Sequence, residues 1–272
     1  MPEPIGCEVK EGIAVVTLNN PPLNLVTLAL TRALDAVLDR LVGDTAVRVV
    51  VLTGAGRRAF CAGSDITEFP GVADDVVGKK LERENRVYSK MDDCPKPTIA
   101  ALNGLAYGGG LELAVCCDLV IAAADARLAL PEIKLGVIPG SGGTVRVTRR
   151  VGEGRAKQLM FTGEPIDAET ALAWGLIDRL VPPGKALEAA LELAAVLAAG
   201  PAGALALCKQ AIDLAFDVDE NEAVARTLRL SQAAFDSDEC REGVRAFLAK
   251  ETPRFAEPGP DSESRHPDRT TP

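Results

Sequence analysis

The run Leu105-Ala106-Tyr107-Gly108-Gly109-Gly110-Leu111-Glu112-Leu113-Ala114 constrains this chain more than any other stretch. Three glycines lead straight into a helical pattern, and a glutamate follows in its first turn. Such a start leaves bare backbone N–H groups facing outward, ready for an anion or a developing oxyanion. The same glycines also suit close packing of a helix on a strand. Glu132, twenty residues on in Leu130-Pro131-Glu132-Ile133, is a second carboxylate in an apolar setting. Donor amides beside two carboxylates point to an enzyme that makes and quenches an enolate.

Glutamates are most often solvated surface charges. Here Glu112 lies between Leu111 and Leu113, and Glu132 follows Leu128-Ala129-Leu130-Pro131. Desolvation raises a carboxyl pKa and suits acid–base catalysis. A helix start lowers it, and the sequence leaves the balance open. Two further segments carry candidate chemistry. Phe60-Cys61-Ala62-Gly63-Ser64-Asp65-Ile66 is a small-residue loop that lets a ligand approach the backbone. It offers an amide donor at Ser64 or is an ordinary tight turn. Gly136 to Thr144 opens another helix, with Arg146, Arg149 and Arg150 after it. The phosphate-loop pattern G-x-x-x-x-G-K-[ST] is absent, which argues against nucleotide hydrolysis.

Along the chain, Ile13–Leu18, Val47–Leu52, Thr98–Leu102 and Leu119–Ala123 read as strands. Leu25 to Val42, Asp74 to Met91 and Glu112 to Cys117 read as helices, the second of them charged. Strands alternating with helices give an α/β class with a largely buried sheet. After Pro182 the pattern changes to Ala-rich helices over 184–199, 202–216, 219–235 and 238–250, with Gly200-Pro201 as a hinge. The expected organisation is a core over 1–199, a helical region over 200–256 and a disordered tail over 257–272. No fixed-period repeat is present.

Bulk properties exclude several classes. With 47% hydrophobic residues, the 272-residue chain can bury a sizeable core, and with 4% aromatics that core must be aliphatic. A net charge of −9 and no Lys/Arg cluster argue against a nucleic-acid partner. The seven cysteines are odd in number and form no C-x-x-C, so a reducing compartment and no zinc are expected. The only histidine, His266, falls in the expected tail, which removes a Ser–His–Asp triad. The N-terminus has no basic-then-apolar pattern, and no apolar run approaches a membrane span. A cytoplasmic protein with no membrane partner is expected.

Together these motifs resemble the enoyl-CoA hydratase/isomerase (crotonase) family. Phe60 to Ile66 is similar to its first oxyanion loop, and Asn103 to Gly110 with Glu112 to its second. Pro131 to Gly136, continuing through Gly140-Ser141-Gly142-Gly143, is similar to its third signature. The resemblance covers about residues 8–256 and implies a spiral of ββα units with a C-terminal helical trimerisation region. By the same resemblance, the amides of Ser64 and Gly109 would bind a thioester oxygen. Glu112 and Glu132 would be the acid–base pair, and the Gly140 amide would assist at the water. Leu25, Ala62, Asp65, Ile66, Tyr107 and Pro131 would contact the CoA substrate. Phe247 and Lys250 match C-terminal positions that reach a neighbouring subunit's ligand. The implied reaction is hydration of a 2-enoyl-CoA, with a Δ3-Δ2 enoyl-CoA isomerase or another acyl-CoA enolate enzyme as the alternative. The implied assembly is a homotrimer or a hexamer of paired trimers. No cofactor is implied, because coenzyme A enters as part of the substrate. Ser64 stands where alanine is frequent in the family, and Val145 where glutamine is.

Overall fold

The computed structural model describes residues 3–255. The tail expected over 257–272 lies outside them. The chain divides into two units, Met1–Ala195 and Val196–Pro272. The division falls four residues before the expected 199/200 boundary, inside the last turn of a helix that runs on to Ala198.

In the first unit, β1 (Ile5–Lys10) and β2 (Ile13–Leu18) form a hairpin, and α1 (Leu28–Gly43) follows. Next come β3 (Val49–Gly54), β4 (Ala59–Cys61), the short α2 (Phe69–Val72) and α3 (Glu82–Asp92). A wider π-helical turn, Val77–Leu81, leads into α3. The chain continues through β5 (Thr98–Leu102), β6 (Leu105–Tyr107), α4 (Gly109–Ala114), β7 (Leu119–Ala123) and β8 (Arg127–Ala129). A 3-10 turn at Glu132–Leu135 precedes α5 (Gly143–Val151) and α6 (Glu153–Thr162). The unit closes with β9 (Ile166–Asp167), α7 (Ala168–Trp174), β10 (Arg179–Val181) and all but the last turn of α8 (Ala186–Ala198).

The strands sort into two sheets. The longer has order β1-β2-β3-β5-β7-β10, and the shorter β4-β6-β8-β9. Each circuit of the chain gives one strand to the long sheet, the next to the short sheet, and then a helix: β3-β4-α3, β5-β6-α4, β7-β8-α5. This is the expected ββα spiral. The repeat is hidden in the sequence because β3, β5 and β7 begin at Val49, Thr98 and Leu119, intervals of 49 and 21 residues. All six residues of β3 and all five of β5 are buried, as continuous apolar runs in a parallel sheet require. Leu30, Leu34, Leu38 and Leu41 of α1 join Leu52, Phe60, Leu102, Leu111 and Leu128 in one aliphatic core.

Two local differences from the sequence expectation shape the site. The small-residue loop over Ala59–Asp65 begins as a strand, because β4 pairs with β6. The first helix starts at Leu28 instead of Leu25. Thr27 caps it by accepting the Leu30 N–H at 3.0 Å, and Val26 pairs with Ser64 as an isolated parallel bridge. Asn24 makes this turn possible. It sits in the left-handed region (φ 52°), and its Nδ2 donates to the carbonyls of Ala55 at 3.0 Å and Ala59 at 2.9 Å.

The second unit holds α9 (Ala202–Asp217), α10 (Glu220–Phe235) and α11 (Asp238–Ala249). Each of the last two begins with a side-chain cap, Asp219 on the Glu222 N–H and Ser237 on the Cys240 N–H. Glu239 accepts the Gly203 and Ala204 N–H groups at 3.1 and 3.0 Å, closing the start of α9. Among the described residues no single helix is long and apolar enough to cross a membrane.

Asn24→Ala strands two carbonyls and puts an alanine at positive φ. The expected loss is about 2–4 kcal/mol of unfolding free energy by chemical denaturation.

Candidate active site

Three short parallel strands deliver the candidate residues. β4, β6 and β8 lie side by side and run the same way. The segments that leave their C-terminal ends are Ala62–Asp65, Gly108–Glu112 and Leu130–Glu132. Ligand sites in α/β folds form at such strand ends, and here adjacent ends bring together residues up to 68 positions apart (64 to 132).

The two candidate donor amides are shaped by backbone pairing. In the bridge with Val26, the Val26 N–H donates to Gly63 and the Asp65 N–H donates to Val26. Ser64, between those two contacts, therefore turns its own N–H away from the bridge. Gly108 has φ 50° and ψ −129°, a conformation open to glycine, and turns the chain from β6 into α4. Its N–H donates to Ala129, leaving Gly109 as the first helical residue, whose N–H has no intrahelical acceptor. Gly109 and Ser64 are neighbours: a Cβ on Gly109 would lie 3.5 Å from Ser64 Oγ. The buried Tyr88 hydroxyl donates to the Gly109 carbonyl at 2.9 Å and fixes this residue. Burial holds that phenol well above its ordinary range, so it stays a donor. Gly110 serves packing, since a Cβ there would lie 2.2 Å from the Cys61 carbonyl oxygen. The packing reading of the triple glycine thus holds at Gly110.

Glu112 is 2% exposed. Its Oε1 accepts two backbone N–H groups, from Ser141 and Gly143, each at 2.8 Å. The glycine loop over 140–143 therefore cradles a carboxylate of its own chain. Gly140 lies in this loop and its carbonyl accepts from Asn85 at 2.8 Å, but the amides that reach Glu112 are those of Ser141 and Gly143. Loss of hydration pushes the Glu112 pKa up to about 7, against the two N–H donors that lower it, and the nearby charges of Glu132 and Glu84 add to the rise. The balance that sequence left open is decided by burial. Glu132 heads the 3-10 turn after β8. Burial raises its pKa as well, and its Oε2 is buried without a hydrogen bond among the described residues. Its Oε1 lies 2.9 Å from where a Gly108 Cβ would be, so the second glutamate abuts the glycine turn.

The other sequence candidates take varied places. Ala62 donates to the Leu23 carbonyl at 2.9 Å, which aligns the Leu25 segment with the first loop. Asp65 accepts from the Thr67 hydroxyl and N–H at 2.7 and 3.0 Å, capping a short turn that exposes Ile66. The Thr67 hydroxyl bond, then the N–H, keeps the Asp65 pKa below its ordinary value. Tyr107 ends β6 and Pro131 precedes Glu132. Phe247 and Lys250 belong to the second unit, on α11 and at its end, with Phe247 83% exposed. Cys61 is fully buried beside the first loop, and its thiol is pushed up to about 12, chiefly by burial, so it is no nucleophile. Sequence reasoning missed Ser141, Gly143, Tyr88, Lys80 and Glu84. Only the glycine loop itself was a signal, and it suggested an external anion.

Folding raises the Glu112 pKa from 4.5 to about 7, so the folded chain holds this proton more tightly than the unfolded one. The stability it contributes is full below the unfolded pKa and is lost as pH rises through the folded one. Glu112→Gln, neutral at every pH, is expected to match the parent near pH 4.5 and to exceed it at pH 8 by on the order of 3 kcal/mol. Denaturant titrations at the two pH values check this, and a pH-independent difference would refute it.

The chain is similar to known proteins over most of its length. The family model described as enoyl-CoA hydratase/isomerase matches residues 8–258. The chain is 38% identical over 244 residues to a short-chain-enoyl-CoA hydratase of Clostridium acetobutylicum, covering 89% of this chain and 93% of that protein. It is 35% identical over 258 residues to a crotonyl-CoA hydratase of Syntrophomonas wolfei, covering 93% and 98%. Among solved structures, an enoyl-CoA hydratase from Bacillus anthracis superposes with a TM-score of 0.89 at 36% identity, covering 93% of this chain and 99% of that one. A buried Glu112 and a half-buried Glu132 beside two glycine-bearing turns, at the ends of three short parallel strands, thus coincide with a match over nearly the whole sequence: the chain belongs to the enoyl-CoA hydratase/isomerase family.

Proposed function

We propose that this protein adds water across the double bond of a 2-enoyl-CoA thioester to give a 3-hydroxyacyl-CoA. The observation that carries the reading is the pair of glutamates with raised pKa, Glu112 buried and Glu132 half-buried, beside the adjoining Ser64 and Gly109 turns. The thioester oxygen takes the N–H groups of Ser64 and Gly109. Such donors act on charge that develops in the transition state, and each is worth about 3 kcal/mol. With the oxygen stabilised, the β-carbon becomes electrophilic and the α-carbon can hold the enolate.

In the reaction, the water oxygen bonds to the β-carbon while Glu112 takes one of its protons. The two N–H groups on Glu112 Oε1 favour its anionic form in that role. Glu132 delivers a proton to the α-carbon, and its unbonded Oε2 suits a group whose partner is water or substrate. Afterwards Glu112 carries the proton and Glu132 the charge, and exchange between them or with solvent restores the start. With Glu112 near 7, the pair holds a proton into the neutral range. An isomerase requires one base; two built-in carboxylates favour hydration. The chemistry asks for no redox or nucleotide cofactor, since coenzyme A is the substrate's handle. Leu25, Ala62, Asp65, Ile66, Tyr107 and Pro131 contact that substrate in this reading.

The same reading makes the chain a homotrimer or a pair of trimers acting in the cytoplasm. Neither α9 nor α10 buries a single residue fully, and Ile212, Phe216, Leu228 and Phe235 are exposed on them. Helices with so much apolar surface need a partner, and a second copy of the chain supplies it. Phe247 and Lys250 then reach a neighbour's ligand. None of the seven cysteines, all among the described residues, forms a disulfide, which suits a reducing compartment.

Loss of the conjugated enoyl-thioester absorbance of crotonyl-CoA tests the reaction. Glu132→Gln is expected to abolish it while leaving CoA-ester binding largely intact. Ser64→Ala keeps the amide and is expected to retain most activity; a loss above about 100-fold, near 3 kcal/mol, would mean that the hydroxyl takes part. Turnover of a 3-enoyl-CoA with no hydration of 2-enoyl-CoAs would overturn the hydratase reading.

A further inference from the structure

Behind Glu112 runs a string of buried polar groups that the chemistry above does not use. Lys80 and Glu84, 2% and 1% exposed, form an ion pair at 2.6 Å one helical turn apart. The other Glu84 oxygen, Oε2, accepts from the Ser141 hydroxyl at 2.8 Å. Ser141 in turn donates its backbone N–H to Glu112 Oε1. On its far side Lys80 reaches Glu68 at 3.9 Å. Glu68 accepts the Leu28 N–H at the start of α1, at 3.1 and 3.3 Å to its two oxygens. Glu68 also ends the turn that Asp65 caps, immediately after Ser64. Lys80 therefore sits between the loop carrying the Ser64 amide and the loop gripping Glu112. Asn85, on the same helix, pins the second loop again at the Gly140 carbonyl.

A buried ion pair is a poor device for stability alone, because apolar residues of similar volume often do as well. Here each charge is used to tie a different segment of the site. We infer that Lys80, Glu84 and Ser141 are positioning residues, a buried relay that keeps the Ser64 turn and the Glu112 cradle in fixed relation. The inference rests on the reading of Glu112 as a reacting group. The groups that face Glu112 are Glu132 from the turn after β8, Glu84 and Tyr88 from α3, Cys116 after α4, and the two loop amides. Arg146 of α5 stands beside the loop and is paired with Asp92 at 2.8 Å.

The test uses the full-length protein and the variants Ser141→Ala, Lys80→Met, Glu84→Gln and the double Lys80→Met/Glu84→Gln. Crotonyl-CoA hydration gives kcat and KM. The Glu112 carboxyl is titrated by NMR of carbon-13-labelled glutamate, assigned with Glu112→Gln. Ser141→Ala keeps the amide but frees the loop, so kcat is expected to fall about 10- to 100-fold with KM little changed, and Glu112 to titrate at higher pH. Lys80→Met leaves Glu84 uncompensated and moves the titration up, whereas Glu84→Gln removes a negative charge and moves it down. The double variant is expected to recover most of the melting temperature lost in Lys80→Met. A purely structural role predicts no such opposite displacement. Wild-type kcat with an unmoved Glu112 titration in Ser141→Ala, or a common direction in the two charge variants, overturns the relay. If the parent protein hydrates neither short- nor long-chain 2-enoyl-CoAs, the proposed reaction falls, and the titration still decides the relay.

Discussion

Keeping the Glu112 carboxylate out of water is the constraint on which the rest of the site depends. An ionised carboxylate in a protein interior costs several kcal/mol unless donors replace its hydration. The donors here are two amides of the 140–143 loop, converging on one oxygen. Two amides do not fully replace water, so the pKa settles near neutrality. A residual cost of this kind is what leaves the group able to both take and release a proton in the neutral range. The loop must then be held, and Ser141 and Gly140 are anchored to α3 through Glu84 and Asn85. Much of the polar interior of the first unit follows from this one buried group.

The scaffold adds a second constraint, economy of placement. The long sheet supplies burial, since its central strands are covered on both faces. The short sheet supplies position. Its first three strands carry only three residues each, yet their parallel alignment sets three turns against one another. Gly110 allows α4 to lie on Cys61, and Gly108 turns the chain between β6 and α4. In the proposed reaction this alignment preorganises the donors and the carboxylates for charge that appears only in the transition state.

The stretch over 74–91, expected as one charged helix, shows how partial the sequence signal is: its helix proper is α3, and its first residues form a turn. Several of its charges lie near the surface, such as Asp74 paired with Lys79. Lys80 and Glu84, in the same stretch, are almost completely buried. Periodicity cannot separate the two cases, because a charged residue enters the hydrophobic pattern as polar wherever it ends up. The three-residue strands were likewise invisible, being too short for an alternation to register. The ββα repeat escaped notice because unequal insertions separate its copies.

The aliphatic core, the long-sheet strands and the Ala-rich helices were legible from the residues alone, since these rest on local hydrophobic patterning. So were the glycine turns and the two glutamates, because residue type alone limits what backbone and side chain can do there. The tertiary structure decided which amides hold Glu112, that burial outweighs hydrogen bonding in setting its pKa, and that Lys80, Glu84 and Ser141 stand behind it. Those outcomes depend on contacts between residues 29 to 57 positions apart. Their energies come from distance and desolvation, quantities that exist only once the chain has folded.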